Sequence, residues 1–126
     1  MELQQKIKTG SNGLIPPYGG ELKNLIIKDK DLKNDLISKV TYEFECSERN
    51  ACDVELLMVG AFSPLEGFMD ENNYNSVIKN NRDLNGLLFG LPIVFDSNND
   101  KVKAGEKILL TYKKQKIAVV EVSSKW

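Results

Sequence analysis

The sequence predicts an α+β fold in which a small mixed sheet, or a partly closed barrel, is combined with two or three short helices. Residues 40–46, VTYEFEC, alternate apolar and polar side chains, which is the pattern of a half-buried strand. Residues 107–112 and 116–122 are two further apolar runs separated by the turn KKQ, which predicts a hairpin. The chain of 126 residues is long enough for one domain and too short for two ordinary ones.

Short helices are predicted at up to three places, from capping residues and helical periodicity. The first lies within residues 29–40; the second follows Ser47, whose hydroxyl can accept from first-turn N–H groups, and ends at Gly60; the third follows Asp70. The expected apolar faces are Leu32, Leu36 and Ile37 in the first helix, Cys52, Leu56 and Val59 in the second, and Tyr74, Val77 and Ile78 in the third.

Residues 1–20 are predicted to form an irregular N-terminal arm and residues 21–126 a single domain. The arm contains TGSNGLIPPYGG, whose glycines and prolines disfavour both helices and long strands. Residues 22–27 and about 92–96 are predicted as additional strands, and the second of these begins at a proline, which is tolerated at a strand's first position. The expected total is therefore five or six strands.

Composition excludes several classes of protein. The net charge is −1, whereas a general nucleic-acid binder carries a basic surplus, so we expect no nucleic-acid partner. No apolar run is long enough for a membrane span or a signal peptide, so we expect no membrane partner and a cytoplasmic location. Cys46 and Cys52 are interpreted as two reduced thiols rather than a disulfide, because nothing in the sequence suggests secretion; two thiols without histidine also cannot complete a zinc tetrahedron.

The chain carries little that predicts chemistry of its own. It contains no histidine, which removes the commonest general base. No G-x-x-x-x-G-K-[ST] phosphate loop is present, and residues 96–100, DSNND, lack the later glycine and glutamate of a calcium loop at the required offsets. We therefore predict no catalytic, cofactor-binding or metal-binding residue in this chain.

Residues 60–69, GAFSPLEGFM, which we call the apolar turn, combine turn-forming residues with large apolar side chains. One hypothesis is packing within the domain, with Phe62 and Phe68 as core anchors and Pro64 and Gly67 as turn formers. The other is that the apolar turn and the PPYGG part of the arm form the seam to another domain, because large exposed apolar patches usually mark interfaces. The two roles can coexist.

Five segments carry a family resemblance, two of which are NYNSVI at residues 73–78 and LPIVFD at residues 91–96. Residues 14–20, LIPPYGG, are similar to an L-I-x-P-H-G-G opening, and residues 52–69 are similar to a C-D-L-E-x-L-x-x-G-x-F-S-P-L-x-G-F-M stretch. Residues 118–126, AVVEVSSKW, are similar to a strand that ends in tryptophan. In these motifs the chain resembles the N-terminal region of the ATP sulfurylase (sulfate adenylyltransferase) family. Tyr18 stands where that family usually has histidine, and residues 28–45 match poorly.

The resemblance implies a PUA-like domain, a mixed β pseudobarrel. It also implies that the full-length protein is a nucleotidyltransferase of sulfate assimilation, which forms adenosine 5′-phosphosulfate and pyrophosphate from ATP and sulfate with Mg-ATP as substrate. The family's Q-x-R-N and H-x-x-H motifs belong to a catalytic domain that follows. They are absent here, since SERN at residues 47–50 begins with serine and the chain has no histidine. We therefore expect a scaffold domain that is inactive alone.

The implied partner is the catalytic domain of the same polypeptide, in a homo-oligomeric full-length enzyme. The candidate interdomain residues come from the arm and the apolar turn and are Pro16, Pro17, Gly19, Gly20, Phe62, Ser63, Pro64, Leu65, Gly67 and Phe68. Two other hypotheses stay open: a free-standing PUA-like module for RNA or a small ligand, and a regulatory or pseudoenzyme fragment. A continuous reading frame past Trp126 into the catalytic motifs would distinguish the first hypothesis from these.

Overall fold

The computed structural model describes residues 14–126. Most of the predicted arm, residues 1–13, lies outside the described residues. Within residues 14–126 the chain forms three helices and one three-stranded mixed sheet. The predicted α+β class with two or three short helices is therefore confirmed.

The sheet has β2 (Lys107–Tyr112) at its centre, with β1 (Tyr42–Glu45) and β3 (Gln115–Glu121) on either side. Strands β1 and β2 are parallel, and β2 and β3 form the predicted antiparallel hairpin. Burial alternates along β1 as the sequence pattern predicted, whereas four consecutive residues of β2 are buried because this strand is covered on both faces.

The three helices are α1 (Lys30–Ser38), α2 (Glu48–Met58) and α3 (Glu71–Asn80). The predicted caps of α2 and α3 are confirmed: the Ser47 hydroxyl accepts from the N–H of Asn50, and the Asp70 carboxylate accepts from the N–H of Asn73. Each cap satisfies a first-turn donor that has no partner within its helix.

The predicted apolar face of α2 is wrong. Cys52 is exposed, and Leu56 and Val59 are 40 % and 48 % exposed. The helix instead buries Val54 and Leu57. Apolar residues occupy positions 54 and 56–59, so helical spacing can be counted along more than one face, and the packing against the sheet decides which one is buried.

Two predicted strands, residues 22–27 and 92–96, are not strands, so the described chain has three strands rather than five or six. Each segment makes an isolated contact instead of a ladder. The N–H of Leu25 donates to the carbonyl of Met58 at the end of α2, and the carbonyl of Ile93 accepts from the N–H of Met69. Both partners lie in irregular or helix-terminal backbone, which cannot continue a regular ladder.

The core consists of two clusters that meet at one aromatic residue. The sheet cluster contains Cys46, Val54, Val102, Ile108 and Leu110, and the helix cluster contains Leu57, Met69, Val77 and Ile93. Phe68 packs against both clusters, and its ring lies 5.6 Å from that of Phe95. The apolar turn therefore supplies the side chain that joins the two halves of the core.

Glu45, at the end of β1, ties that strand to the hairpin turn. One carboxylate oxygen accepts from the Thr111 hydroxyl at 2.6 Å, and the other accepts from the N–H of Lys113 at 2.7 Å. The hydrogen bond from Thr111 lowers the pKa of Glu45, and the Lys113 N–H acts in the same direction against the effect of burial. The ionised carboxylate is thus the form that the fold prefers.

Leu110→Ala should destabilise the domain by about 2–5 kcal/mol, because Leu110 is completely buried at the centre of the sheet and truncation leaves a cavity. Leu88→Ala is the matched control, since Leu88 is 60 % exposed and should change the free energy of unfolding by less than about 0.5 kcal/mol. Urea denaturation of both variants measures the difference. Equal effects would contradict the described core.

Glu45→Gln should destabilise the domain at neutral pH and flatten the acid limb of its stability profile. A carboxyl whose pKa is lower in the folded than in the unfolded chain stabilises above its ordinary value of 4.5, and this contribution is lost as the pH falls through the folded value. Urea unfolding from pH 7 to pH 3 tests this. Glu43→Gln, an exposed carboxylate on the same strand, is the control; a profile for Glu45→Gln as steep as that of the wild type would contradict the proposed contribution.

Candidate interdomain surface

The apolar turn (residues 60–69) begins where α2 ends, at Gly60 with a φ of +84°. A Cβ at this position would lie 2.8 Å from the Leu22 side chain and 3.0 Å from the carbonyl oxygen of Lys23, so only glycine fits. Ser63 is buried and joins the apolar turn to Lys23. Its hydroxyl donates to the Gly60 carbonyl at 2.6 Å and accepts from the Lys23 N–H at 3.0 Å. The segment after the arm is therefore held against the apolar turn.

The described part of the arm also contacts the apolar turn. The N–H of Gly20 donates to the Pro17 carbonyl at 2.9 Å, which closes a turn with positive φ at Gly19 and Gly20. A Cβ on Gly19 would lie 2.9 Å from the Pro64 ring, so the backbone of the arm rests directly on this proline. The structure thus brings two predicted motifs, separated by about forty residues, into contact.

An ion pair reinforces the same junction. The Lys23 ammonium lies 3.1 Å from carboxylate oxygens of both Glu66, in the apolar turn, and Glu21. The hydrogen bonds to Glu66 and Glu21 raise the pKa of Lys23. Both carboxylates are exposed, and exposed ion pairs contribute little to stability, so their role here is to orient the segment.

The candidate residues divide by exposure. Ser63 is buried, and Phe62, Leu65 and Phe68 are partly buried against the core clusters. Pro16, Pro17, Gly19 and Gly20 are exposed, while Pro64 and Gly67 are intermediate. Gly67 has open space where a Cβ would lie, so its backbone does not require glycine for steric reasons. The large side chains of the apolar turn mainly serve the core, and the arm is the more exposed motif.

A groove of about 370 Å³ lies where the arm meets residues 88–91. Ala61, Phe62 and Ser63 contribute to its lining, together with Tyr18 from the arm. The Tyr18 hydroxyl donates to the carbonyl oxygen of Leu88, which fixes the ring at one side of the groove. The apolar turn thus helps to line this groove although most of its large side chains face the core.

The exposed apolar residues that line the groove, Tyr18, Leu88 and Leu91, form what we call the arm–groove surface. Tyr18 is 50 % exposed, and Leu88 and Leu91 are 60 % and 51 % exposed. In the arm, Leu14 and Ile15 are 64 % and 67 % exposed. The sequence prediction did not include the two leucines, although the glycine and the proline that interrupt GLLFGLP were an available signal.

The loop that carries Leu88 is braced. Asp83 is buried, and its carboxylate accepts from the N–H groups of Asn85 and Leu87, each at 2.9 Å. The N–H of Phe89 donates to the carbonyl of Asn81, whose φ of +54° ends α3. Leu88 is therefore exposed on a fixed backbone rather than at a frayed loop tip.

Within residues 14–126 no group of three metal-ligating side chains could hold a metal ion. The SERN segment begins α2, where the hydroxyl of Ser47 is used as the helix cap. A second cavity of about 670 Å³ is lined by Phe44, Phe95 and the 96–101 loop, with Glu45, Asp96 and Asp100 set against Lys101, an excess of acid that does not suit a nucleotide phosphate. No helix in this part of the chain could span a membrane.

Comparison with known proteins agrees with this architecture. The sulfate adenylyltransferase of Neurospora crassa is 43 % identical over 102 residues, which is 75 % of this chain and 18 % of that protein. The enzyme of the same description from Debaryomyces hansenii is 38 % identical over 109 residues, covering 75 % and 21 %. The chain thus spans about a fifth of the length of these curated relatives.

A solved structure has a similar fold. The structure described as a hexameric APS kinase from Thiobacillus denitrificans superposes with a TM-score of 0.78 and 31 % identity, covering 90 % of this chain and 24 % of that one. A family model described as a PUA-like domain matches residues 15–126, which is nearly the whole of the described chain. The chain therefore belongs to the PUA-like domain family.

Proposed function

We propose that this chain is the N-terminal scaffold domain of a sulfate adenylyltransferase. The full-length enzyme would form adenosine 5′-phosphosulfate and pyrophosphate from Mg-ATP and sulfate, in the cytoplasm, as part of sulfate assimilation. The observation that carries this proposal is the identity of 38–43 % to proteins named sulfate adenylyltransferase over three quarters of this chain. A homo-oligomeric state of the full-length enzyme stays a prediction.

We assign the chemistry to the catalytic domain of the same polypeptide rather than to these 126 residues. Transfer at a phosphate depends on cations and donors arranged around the developing charge. The chain has no histidine, its SERN serine caps a helix, and its larger cavity carries an acidic rim. These features support a structural role for the domain.

The arm–groove surface is the proposed contact with the catalytic domain. Its residues Tyr18, Leu88 and Leu91 are each at least half exposed, although apolar side chains of this size are normally covered. The loop and the arm that carry them are fixed by the hydrogen bonds of Asp83 and Tyr18. A preorganised apolar surface can be covered without a further ordering cost.

The first test compares the isolated chain with the full-length protein. Pyrophosphate release from ATP, magnesium and molybdate or sulfate should be at the no-protein blank for the 126-residue chain and well above it for the full reading frame. Turnover by the isolated chain would contradict the scaffold role, and an inactive full-length protein would contradict the assignment to sulfate adenylyltransferase. Tight RNA binding by the isolated chain at physiological salt would instead favour the free-standing module.

The second test disrupts the arm–groove surface. In the full-length protein, Leu88→Asp with Leu91→Asp should speed proteolytic cleavage between the two domains by about tenfold or more, because covering one exposed leucine is worth about 1.5–3 kcal/mol and 1.4 kcal/mol is a factor of ten.

Leu32→Asp is the control for this pair, since Leu32 is an exposed leucine on α1, outside the groove. Neither the double variant nor the control should change the urea unfolding of the 126-residue chain by more than about 1 kcal/mol. Cleavage at the wild-type rate in the double variant would show that this surface is not the contact.

A further inference from the structure

The last three residues of the described chain are fastened to two different parts of the domain. The Ser124 hydroxyl accepts from the N–H of Glu71 in the first turn of α3, at 3.0 Å. The Lys125 ammonium donates to the carbonyl oxygens of Asp100, at 2.7 Å, and Asn99. We call these contacts, together with the ring contact of Trp126 described next, the C-terminal clamp. Residues 124 and 125 are thus tied to the body of the domain by hydrogen bonds.

Trp126 is the unusual member of the clamp. Its ring lies 5.4 Å from that of Tyr74 in α3, at an interplanar angle of 44°, yet Trp126 is 55 % exposed. Ile78 lies one turn further along α3 on the same face as Tyr74 and is 54 % exposed. The indole, the half-buried tyrosine and the isoleucine therefore present aromatic and aliphatic surface to solvent, in a composition enriched at the centre of interfaces.

We propose that the exposed face of Trp126 is an anchor that the catalytic domain covers, so that the two domains are held in a fixed orientation rather than joined by a flexible tether. This inference rests on the proposed function, because the occupant is the remainder of a sulfate adenylyltransferase. It concerns residues separate from the arm–groove surface, and neither surface requires the other.

Two observations favour this occupant. The curated relatives are about five times longer than the aligned chain, so the catalytic domain of the proposed enzyme would follow Trp126 along the polypeptide. The clamp fixes residues 124–126 on α3 and on the 96–101 loop, so a polypeptide that continued past Trp126 would leave from beside the indole. The nearest surface available to cover the ring is therefore the one that the same chain supplies.

Hydroxyl-radical footprinting with mass spectrometry tests the anchor, since it reports the solvent exposure of individual side chains. Trp126 should be oxidised about fivefold more slowly in the full-length protein than in the 126-residue chain, because the core of an interface is excluded from water. Tyr42, on β1 in the sheet, is the internal reference. Equal oxidation of Trp126 in the two proteins would overturn the proposal.

Variants of the full-length protein provide the second readout. Trp126→Ala should accelerate cleavage between the domains by about tenfold, and Trp126→Phe should restore most of the protection, since a phenyl ring keeps the aromatic contact and much of the area. A Trp126→Ala variant that folds normally by circular dichroism and is cleaved at the wild-type rate would overturn the anchor.

Two outcomes distinguish a failure of the anchor from a failure of the proposed function. An active full-length enzyme with an unprotected Trp126 would overturn the anchor and leave the assigned function intact. A protected Trp126 in a full-length protein without pyrophosphate release would support the anchor and contradict the assigned function. A reading frame that ends at Trp126 would overturn both.

Discussion

The contact of Phe68 with both core clusters is the interaction on which the rest of the domain depends. Within the described residues, the sheet cluster and the helix cluster contain only five and four buried residues, and a domain of this size buries too little apolar surface for two independent cores. Phe68 lies between them and contacts Phe95, which in turn packs edge-on against Phe44 of β1. An irregular segment can hold large apolar residues because they fill the space where two packing units meet.

The same arrangement explains why the surface nearby is apolar. Phe62 and Ser63 line the groove from the apolar turn, so the backbone that joins the core clusters also reaches the outside of the domain. The groove has aromatic and aliphatic walls that are exposed to water, and covering such apolar surface is energetically favourable. Core packing and the proposed interdomain contact are therefore not competing roles for residues 60–69: the inner side chains pack in the core, and residues 61–63 line the groove.

Local chemistry made part of this fold predictable from the sequence. The helix caps at Ser47 and Asp70 act within one turn, and the hairpin follows from two apolar runs across a short turn, so no distant partner is needed to infer them. The strands predicted at residues 22–27 and 92–96 are absent, because an extended segment becomes a strand only where a regular partner strand lies beside it. The exposed Leu88 and Leu91 were missed because an apolar run does not itself reveal which of its members face solvent. The contact of Gly19 with Pro64 depends on two distant turns and has no local signature.

The turn between β2 and β3 shows how far this dependence on distant partners extends. Lys113 and Lys114 both have positive φ, a conformation that usually requires glycine or asparagine and costs other residues about 1–2 kcal/mol each. The Glu45 carboxylate, from a strand more than sixty residues earlier, accepts from the N–H of Lys113 and holds the turn in this shape. The turn of this hairpin therefore draws part of its stability from outside the hairpin, so that the geometry of the last two strands is coupled to the position of β1.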